Sequence, residues 1–331
     1  MACSHEMISY AQNTEQELFV VAQNAFEDGF YDITIRYIDQ LLKQYPFTEK
    51  RVPARLLLGQ CHFFKSQNLK ANEVFHDLLE YPEFKDATLF WLGETYLKGA
   101  DYLQAEKQFQ QLIEVYPQSE YTPQAYHSLG WTYFAENKLE DAKKVMKELL
   151  ERFPDHQLAE NSLFKLGEAE YNLRNYQDSV KYFSQYLEKY PQSARMAEGY
   201  FYIGESYYYL EDFLTAVTYY AKAARGAYGE NLSLMAKGSL GWSYLKLKKY
   251  DLAKEHLEEA VQFSKEKGIE SDDVYLGLAS LYYETKVYDR AMAAYTQLVE
   301  NFPKSSRLAE AYLGRANLYY QLQDYGKAME D

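Results

Sequence analysis

The segment Tyr116–Phe134 reads YPQSEYTPQAYHSLGWTYF, and its pattern returns at Tyr190–Leu210 as YPQSARMAEGYFYIGESYYYL. Both begin with Tyr-Pro and place a glycine after an aliphatic residue, Leu129-Gly130 and Ile203-Gly204. The same pair recurs at Leu58-Gly59, Leu92-Gly93, Leu166-Gly167 and Leu240-Gly241, and Leu278-Ala279 extends the series. Gly59 to Gly93 is 34 residues, and the later intervals are 37 or 38. A fixed period of this size is the mark of stacked supersecondary units.

Working outward, units start at Glu15, Val52, Asp86, Pro123, Glu160, Ala197, Leu234, Asp272 and Ala309. Position 8 of each unit is Ala22, Gly59, Gly93, Gly130, Gly167, Gly204, Gly241, Ala279 and Ala316. Position 20 is Thr34, Ala71, Ala105, Ala142, Ser179, Ala216, Ala253, Ala291 and Ala328. Two small residues twelve apart let two antiparallel helices approach closely. Large apolar residues at positions 4, 7, 11, 24 and 27 fill the seam at helical spacing. Proline at position 32 (Pro46, Pro117, Pro154, Pro191, Pro303) cannot continue the second helix and ends it. Each unit therefore reads as helix A, a short turn, helix B and a stop.

This pattern resembles the tetratricopeptide repeat (TPR), from Glu15 to the end of the sequence. The expected fold is all-α: a right-handed α-solenoid of about nine TPR hairpins, mostly of 37-residue period, the last incomplete at Asp331. Most units carry three residues more than the usual TPR. These follow the proline, as in Pro117–Thr122, and should lengthen either the inter-repeat turn or helix A.

The chain holds 35 tyrosines. Many fall at position 11 (Tyr96, Tyr133, Tyr207, Tyr244, Tyr282, Tyr319) or position 17 (Tyr31, Tyr102, Tyr176, Tyr250, Tyr288, Tyr325). They read as architecture, a ring packed in the hairpin with its hydroxyl at the edge. In the sixth unit Tyr200, Ile203, Gly204 and Tyr207 face the seam, which leaves Tyr208 and Tyr209 on the other side of helix A. The TPR resemblance implies that this side, at positions 2, 5, 9, 12 and 13, lines a concave groove. It nominates Phe90, Glu94 and Leu97; His127, Trp131 and Phe134; Phe164, Glu168 and Tyr171; Phe201, Glu205, Tyr208 and Tyr209; and Trp242 with Leu245. An exposed aromatic stripe of this kind would mark a binding surface. The competing reading is that neighbouring A helices pack through positions 5 and 12. The three glutamates read either as a solvated face or as contacts to a ligand carrying Lys or Arg. The carboxylate clamp of chaperone-binding TPRs needs Lys at position 5 and Asn at position 9. Asn317 alone matches, so that partner class is excluded.

The formal net charge of -14 repels phosphates and anionic lipid, which argues against nucleic-acid or membrane-surface partners. No apolar stretch is long enough for a transmembrane helix. Cys3 and Cys61 form no metal or disulfide pattern, and the six histidines form no HExxH pair. His62 takes the place of a core tyrosine. No nucleophile–base pair, phosphate loop or cofactor motif is legible, so no enzyme, cofactor or metal is expected.

Residues 1–14 form a separate N-terminal segment in which Ser9-Tyr10-Ala11 resembles the end of a signal peptide and Ala2-Cys3-Ser4 a lipoprotein cleavage site. Neither has an apolar stretch upstream. The repeats also resemble those of bacterial envelope TPR proteins, among them the lipoprotein of the outer-membrane β-barrel assembly complex and the periplasmic partner of the Tol-Pal system. That resemblance implies a periplasmic or outer-membrane-associated protein, the alternative being cytoplasmic. Between Arg225 and Asp273 the prolines vanish and Gly226, Gly229 and Gly238 appear, so the array is expected to loosen there. The expected function is a non-catalytic scaffold that binds an extended peptide or partner helix in its groove. The alternatives are a self-assembling, oligomeric structural protein and the TPR part of a longer protein.

Overall fold

The computed structural model describes residues 14–226, 229–269 and 271–331. The 1–14 segment, with Cys3 and the two cleavage-site resemblances, thus lies almost wholly outside the described residues. Among the described residues the regular structure is helical, eighteen α-helices and one 3-10 turn at Pro82–Phe84. The chain divides into two compact units, Met1–Ala159 and Glu160–Asp331. The first holds α1 (Glu15–Glu27), α2 (Tyr31–Gln44), α3 (Arg51–Phe64), α4 (Asn68–Leu78), α5 (Lys85–Lys98), α6 (Tyr102–Val115), α7 (Thr122–Ala135) and α8 (Leu139–Arg152). The second begins with α9 (Ala159–Asn172) and continues with α10 (Tyr176–Lys189), α11 (Met196–Tyr209), α12 (Phe213–Gly226), α13 (Glu230–Lys246) and α14 (Tyr250–Lys267). It ends with α15 (Asp272–Glu284), α16 (Tyr288–Asn301), α17 (Leu308–Gln321) and α18 (Tyr325–Glu330). Odd-numbered helices are the A helices and even-numbered ones the B helices.

The small residues at position 8 do what the period demands, with a sharper rule than a small-to-small contact. A Cβ on Gly59 would sit 2.4 Å from the Phe75 ring, on Gly93 2.4 Å from Phe109, and on Gly204 2.7 Å from Tyr220. Each partner is position 24 of the same unit, so a large B-helix side chain lies flat on the glycine. Position 20 backs the same spot from the other side. The Ser179 hydroxyl donates to the Gly167 carbonyl at 3.2 Å, and Thr34, Ala71, Ala105, Ala142, Ala216, Ala253 and Ala291 are fully buried.

The turn between helices A and B carries a feature that residue identity hides. Position 15 is left-handed in every unit: Gly29, Ser66, Ala100, Asn137, Arg174, Glu211, Lys248, Lys286 and Gln323 have φ between 57° and 77°. The next amide reaches back to the carbonyl five residues earlier, as from Asp101 to Tyr96 at 2.9 Å and from Asp212 to Tyr207 at 2.9 Å. The amide of position 15 itself bonds the carbonyl three residues back, as from Glu211 to Tyr208 at 3.0 Å. This double closure is a Schellman cap, which satisfies the last carbonyls of helix A.

The three extra residues lie in helix B and not, as expected, in the inter-repeat turn or helix A. The 34-residue second repeat has an 11-residue α4 where α6, α8 and α10 have 14. The turn to the next helix A spans residues 79–84 in the one case and 116–121 in the next. Helix A keeps its length, at 14 residues in α3, α5, α7, α9, α11 and α17. The turn is clipped by a hydroxyl at position 34 bonded to an acid at position 1: Thr48 Oγ1 donates to Glu15 at 2.5 Å, Ser119 Oγ to Asp86 at 2.6 Å, and Ser305 to Asp272. The same hydroxyl accepts the amide two residues on, as from Tyr121 to Ser119 at 3.1 Å. Of the stretch from Arg225 to Asp273, where loosening is expected, residues 227, 228 and 270 lie outside the described residues. In the rest of that stretch the helices lengthen, α13 to 17 residues and α14 to 18, and Gly229 (φ 130°) and Gly268 (φ 65°) supply the positive φ at their ends.

Candidate functional site

The position-5 rings of Phe90, Phe164 and Phe201 pack inward on their own hairpins, and Phe201 also borders a cleft in the second unit. Phe164 has no exposed surface; it meets Phe183 at 5.0 Å and Tyr186 at 4.9 Å, both on the B helix of its own unit. Phe90 is buried against Trp91, Phe109 and Tyr121, and Phe201 against Tyr220. The reason is geometric: position 5 is one helical turn before position 9 and leans toward the seam, where its B helix covers it. Tyr209 is half-exposed and stacks face to face on Tyr176 of the preceding unit at 5.0 Å, as Phe64 stacks on Tyr31 at 5.2 Å in the first unit.

The glutamates at position 9 are not an open solvated row. Each is partly buried and accepts from position 6 of the next unit. In the first unit Glu94 is bonded to Ser128, and burial pushes its carboxyl above the usual range. In the second unit Tyr202 Oη donates to Glu168 at 3.2 Å, and Ser239 Oγ to Glu205 at 3.3 Å. Glu205 also accepts from Tyr220 Oη at 2.7 Å and Tyr171 Oη at 3.1 Å. Burial raises the Glu205 carboxyl and the three hydroxyls hold it down.

Glu168 has in addition a cationic partner. Arg195, from the turn before α11, lies 3.5 Å over the Phe164 ring, 4.0 Å from Glu168 and 2.7 Å from Glu198; Lys165 pairs with Glu168 at 2.6 Å. Among the described residues Glu205 has hydroxyl partners and no ion pair.

Beside Glu205 the face of the A helices opens. A cleft of about 590 Å³ is lined by Phe201, Tyr202 and Glu205, by Leu232, Met235, Gly238 and Ser239, and by Asp273 and Arg307 among others. A smaller one of about 280 Å³ shares Glu205, Ser239, Asp273 and Arg307 with it and adds Tyr208, Tyr209, Trp242 and Glu310. Gly238 is position 5 of its unit, where the other units carry Phe19, Leu56, Phe90, His127, Phe164, Phe201, Leu276 and Leu313. The missing side chain leaves the space. Asp273 is anchored from above by Arg307, 2.8 Å away, and its main-chain carbonyl accepts from the Trp242 indole at 3.1 Å. Its carboxyl is raised by burial and lowered by Arg307. Burial, with the nearby Glu205 and Asp273 charges, pushes the Tyr208 hydroxyl up to about 12.

Of the nominated residues, the structure thus brings Tyr171, Phe201, Glu205, Tyr208, Tyr209 and Trp242 around one pair of clefts in the second unit. Glu168 sits beside them under Arg195. In the first unit, Trp131 donates to His127 Nε2 at 3.2 Å and lies 6.5 Å from Phe134. Sequence reasoning missed Ser239, Asp273, Arg307, Leu232 and Met235. The legible signal was the lone glycine at position 5.

Residues 161–193 and 244–311 match tetratricopeptide repeat families, and the period, the hairpins and the packing rule agree with them. The chain is a tetratricopeptide-repeat array. Residues 82–167 of this TPR array match the outer membrane lipoprotein family YfiO. No curated protein matches the sequence. The fold is shared with the C-terminal part of a TPR repeat-containing protein from Cytophaga hutchinsonii (14% identity, TM-score 0.62, 77% of this chain and 98% of that one). It is shared also with the apo form of RapI (15%, 0.62, 84% of each chain) and a tetratricopeptide repeat protein from Parabacteroides merdae (14%, 0.51, 81% and 98%). Against the APC/C hetero-tetramer Cut9-Hcn1 (17%, TM-score 0.48) the array spans 56% of that chain. TPR arrays generally mediate protein–protein interactions. No helix among the described residues is long and apolar enough to cross a membrane.

Proposed function

We propose that this chain is a non-catalytic scaffold of the bacterial envelope, and that it grips a partner protein on the A-helix face of its second unit. The observation that carries the reading is the pair of linked clefts. Five successive A helices, α9 to α17, converge aromatic rings and carboxylates there, and Met235 stands half-exposed at the rim. Flexible methionine beside aromatic walls suits a surface that adapts to a peptide. Glu198, Glu205, Asp272, Asp273 and Glu310 outnumber Lys246 and Arg307 around the clefts, so the fitting segment carries Lys or Arg among apolar residues. The envelope assignment rests on the lipoprotein-family match over residues 82–167.

Site-specific photo-crosslinking in the native host tests both parts. A benzoyl-phenylalanine at position 235 should crosslink a discrete partner, and envelope fractions should contain the product. The same group in place of Leu252, outside the clefts, should not. Equal crosslinking from both positions, or none from 235, refutes the face; a product confined to the cytosol refutes the envelope.

A further inference from the structure

The repeat itself shows what belongs in the larger cleft. In the fifth unit the ring at position 5 (Phe164) and the acid at position 9 (Glu168) are covered by the guanidinium of Arg195 at position 36. One period later the ring is Phe201 and the acid is Glu205, but position 36 is Leu232. Glu198, which pairs with Arg195, is likewise replaced one period later by Met235. The sixth unit thus keeps the ring and the carboxylate and lacks the arginine. In its place are a cleft with an apolar wall of Leu232 and Met235 and a floor at Glu205.

We propose that the cleft is an arginine pocket, in which an arginine of the partner segment takes the place that Arg195 takes one repeat earlier. This rests on the reading that the A-helix face of the second unit binds a partner, and it names the residue recognised and its seat. The guanidinium stacks on the Phe201 ring and meets Glu205. Its aliphatic stem runs along Leu232 and Met235. A planar, delocalised cation suits this seat better than an ammonium, because it combines a stacking face with directed donors. The segment's neighbouring residues reach Tyr208 and Trp242 in the adjoining cleft. Gly238 makes room: a Cβ there would already meet Val274 at 3.1 Å, and the rings of other units at this position would fill the cleft.

The test uses the full chain and a fluorescently labelled pentapeptide, acetyl-Ala-Leu-Arg-Leu-Ala-amide, followed by anisotropy. A second peptide carries citrulline, which keeps the planar shape and removes the charge. The arginine peptide should bind saturably and the citrulline peptide at least about tenfold more weakly, since charge-assisted contacts are lost. Leu232→Arg supplies the missing arginine from within the chain and should weaken the arginine peptide by a similar factor. Glu205→Gln should do the same. Thermal melts of both variants report folding. A folded Leu232→Arg protein that binds the peptide as well as wild type overturns the pocket, as does equal binding of the citrulline peptide or no saturable binding at millimolar concentration. Failure here with a partner still crosslinked from position 235 sinks the arginine pocket alone; failure of both sinks the binding face.

Discussion

Glu211, Lys248 and Lys286 each hold a left-handed backbone conformation, with φ of 63°, 57° and 63°. Their side chains are exposed. For an L-residue this conformation costs roughly 1–2 kcal/mol, from Cβ crowding on the following carbonyl. Glycine removes that cost, but its unfolded chain is more disordered by about 0.4–1 kcal/mol. The difference leaves each substitution to glycine stabilising by about 0.5–1 kcal/mol. All three sites lie in the second unit, in successive repeats. They share no contact, so the triple variant should gain about 2 kcal/mol, close to the sum of the singles. The converse holds at Gly29, which has φ 77° and open space around its Cβ. There Gly29→Ala should destabilise by about 1 kcal/mol through the backbone alone. Urea unfolding followed by circular dichroism measures the changes, with each variant compared to wild type at unchanged slope. Destabilisation by all three glycines would show that the left-handed turns carry no strain and that the cap account is wrong.

The glycine at position 8 predicts a graded cost. Gly204→Ala forces a Cβ 2.7 Å from the Tyr220 ring and should cost about 1–3 kcal/mol in urea melts, whereas at Gly130 the obstacle is the flexible end of Met146 and the cost should be smaller. Phe164→Ala should cost about 3–5 kcal/mol because the ring is fully buried, and Tyr209→Ala well under half of that; equal effects in thermal melts would contradict their assignments to core and edge. Burial raises the carboxyls of both Glu205 and Asp273. A raised carboxyl takes up its proton early as pH falls, so the arginine peptide should release with a midpoint above the ordinary glutamate value of 4.5. Anisotropy across pH at constant salt checks this, and in Glu205→Gln the midpoint should shift. The same groups bind more protons folded than unfolded between their ordinary and raised values, so their stabilising contribution is full at low pH and declines as pH rises through that window.

How much of this was legible follows from how each feature is encoded. Hairpins and unit boundaries were readable because Gly59, Gly93, Gly130, Gly167, Gly204 and Gly241 recur, and a Cβ at any of them would run into the large side chain at position 24. The left-handed turns were hidden because Ser66, Arg174, Glu211 and Gln323 share a conformation and no chemistry. The clip from Thr48 to Glu15 was visible as a hydroxyl and an acid, yet 33 residues apart, and only folding pairs them. Groove assignments divided by position. Tyr171, Glu205, Tyr208 and Trp242 do reach the clefts, whereas Phe164 turned inward, because periodicity gives a face and not which neighbour covers it. The cleft itself comes from departures from the repeat, Gly238 and Leu232. Aligning on what recurs passes over them.

The central claim is that the sixth repeat lacks an arginine which its own architecture is built to receive. A crystal structure of Leu232→Arg tests it most directly. The account predicts the new guanidinium within about 6 Å of the Phe201 ring centroid and paired with Glu205, as Arg195 sits on Phe164 and Glu168. A side chain turned out to solvent, with the cleft still open, would contradict it.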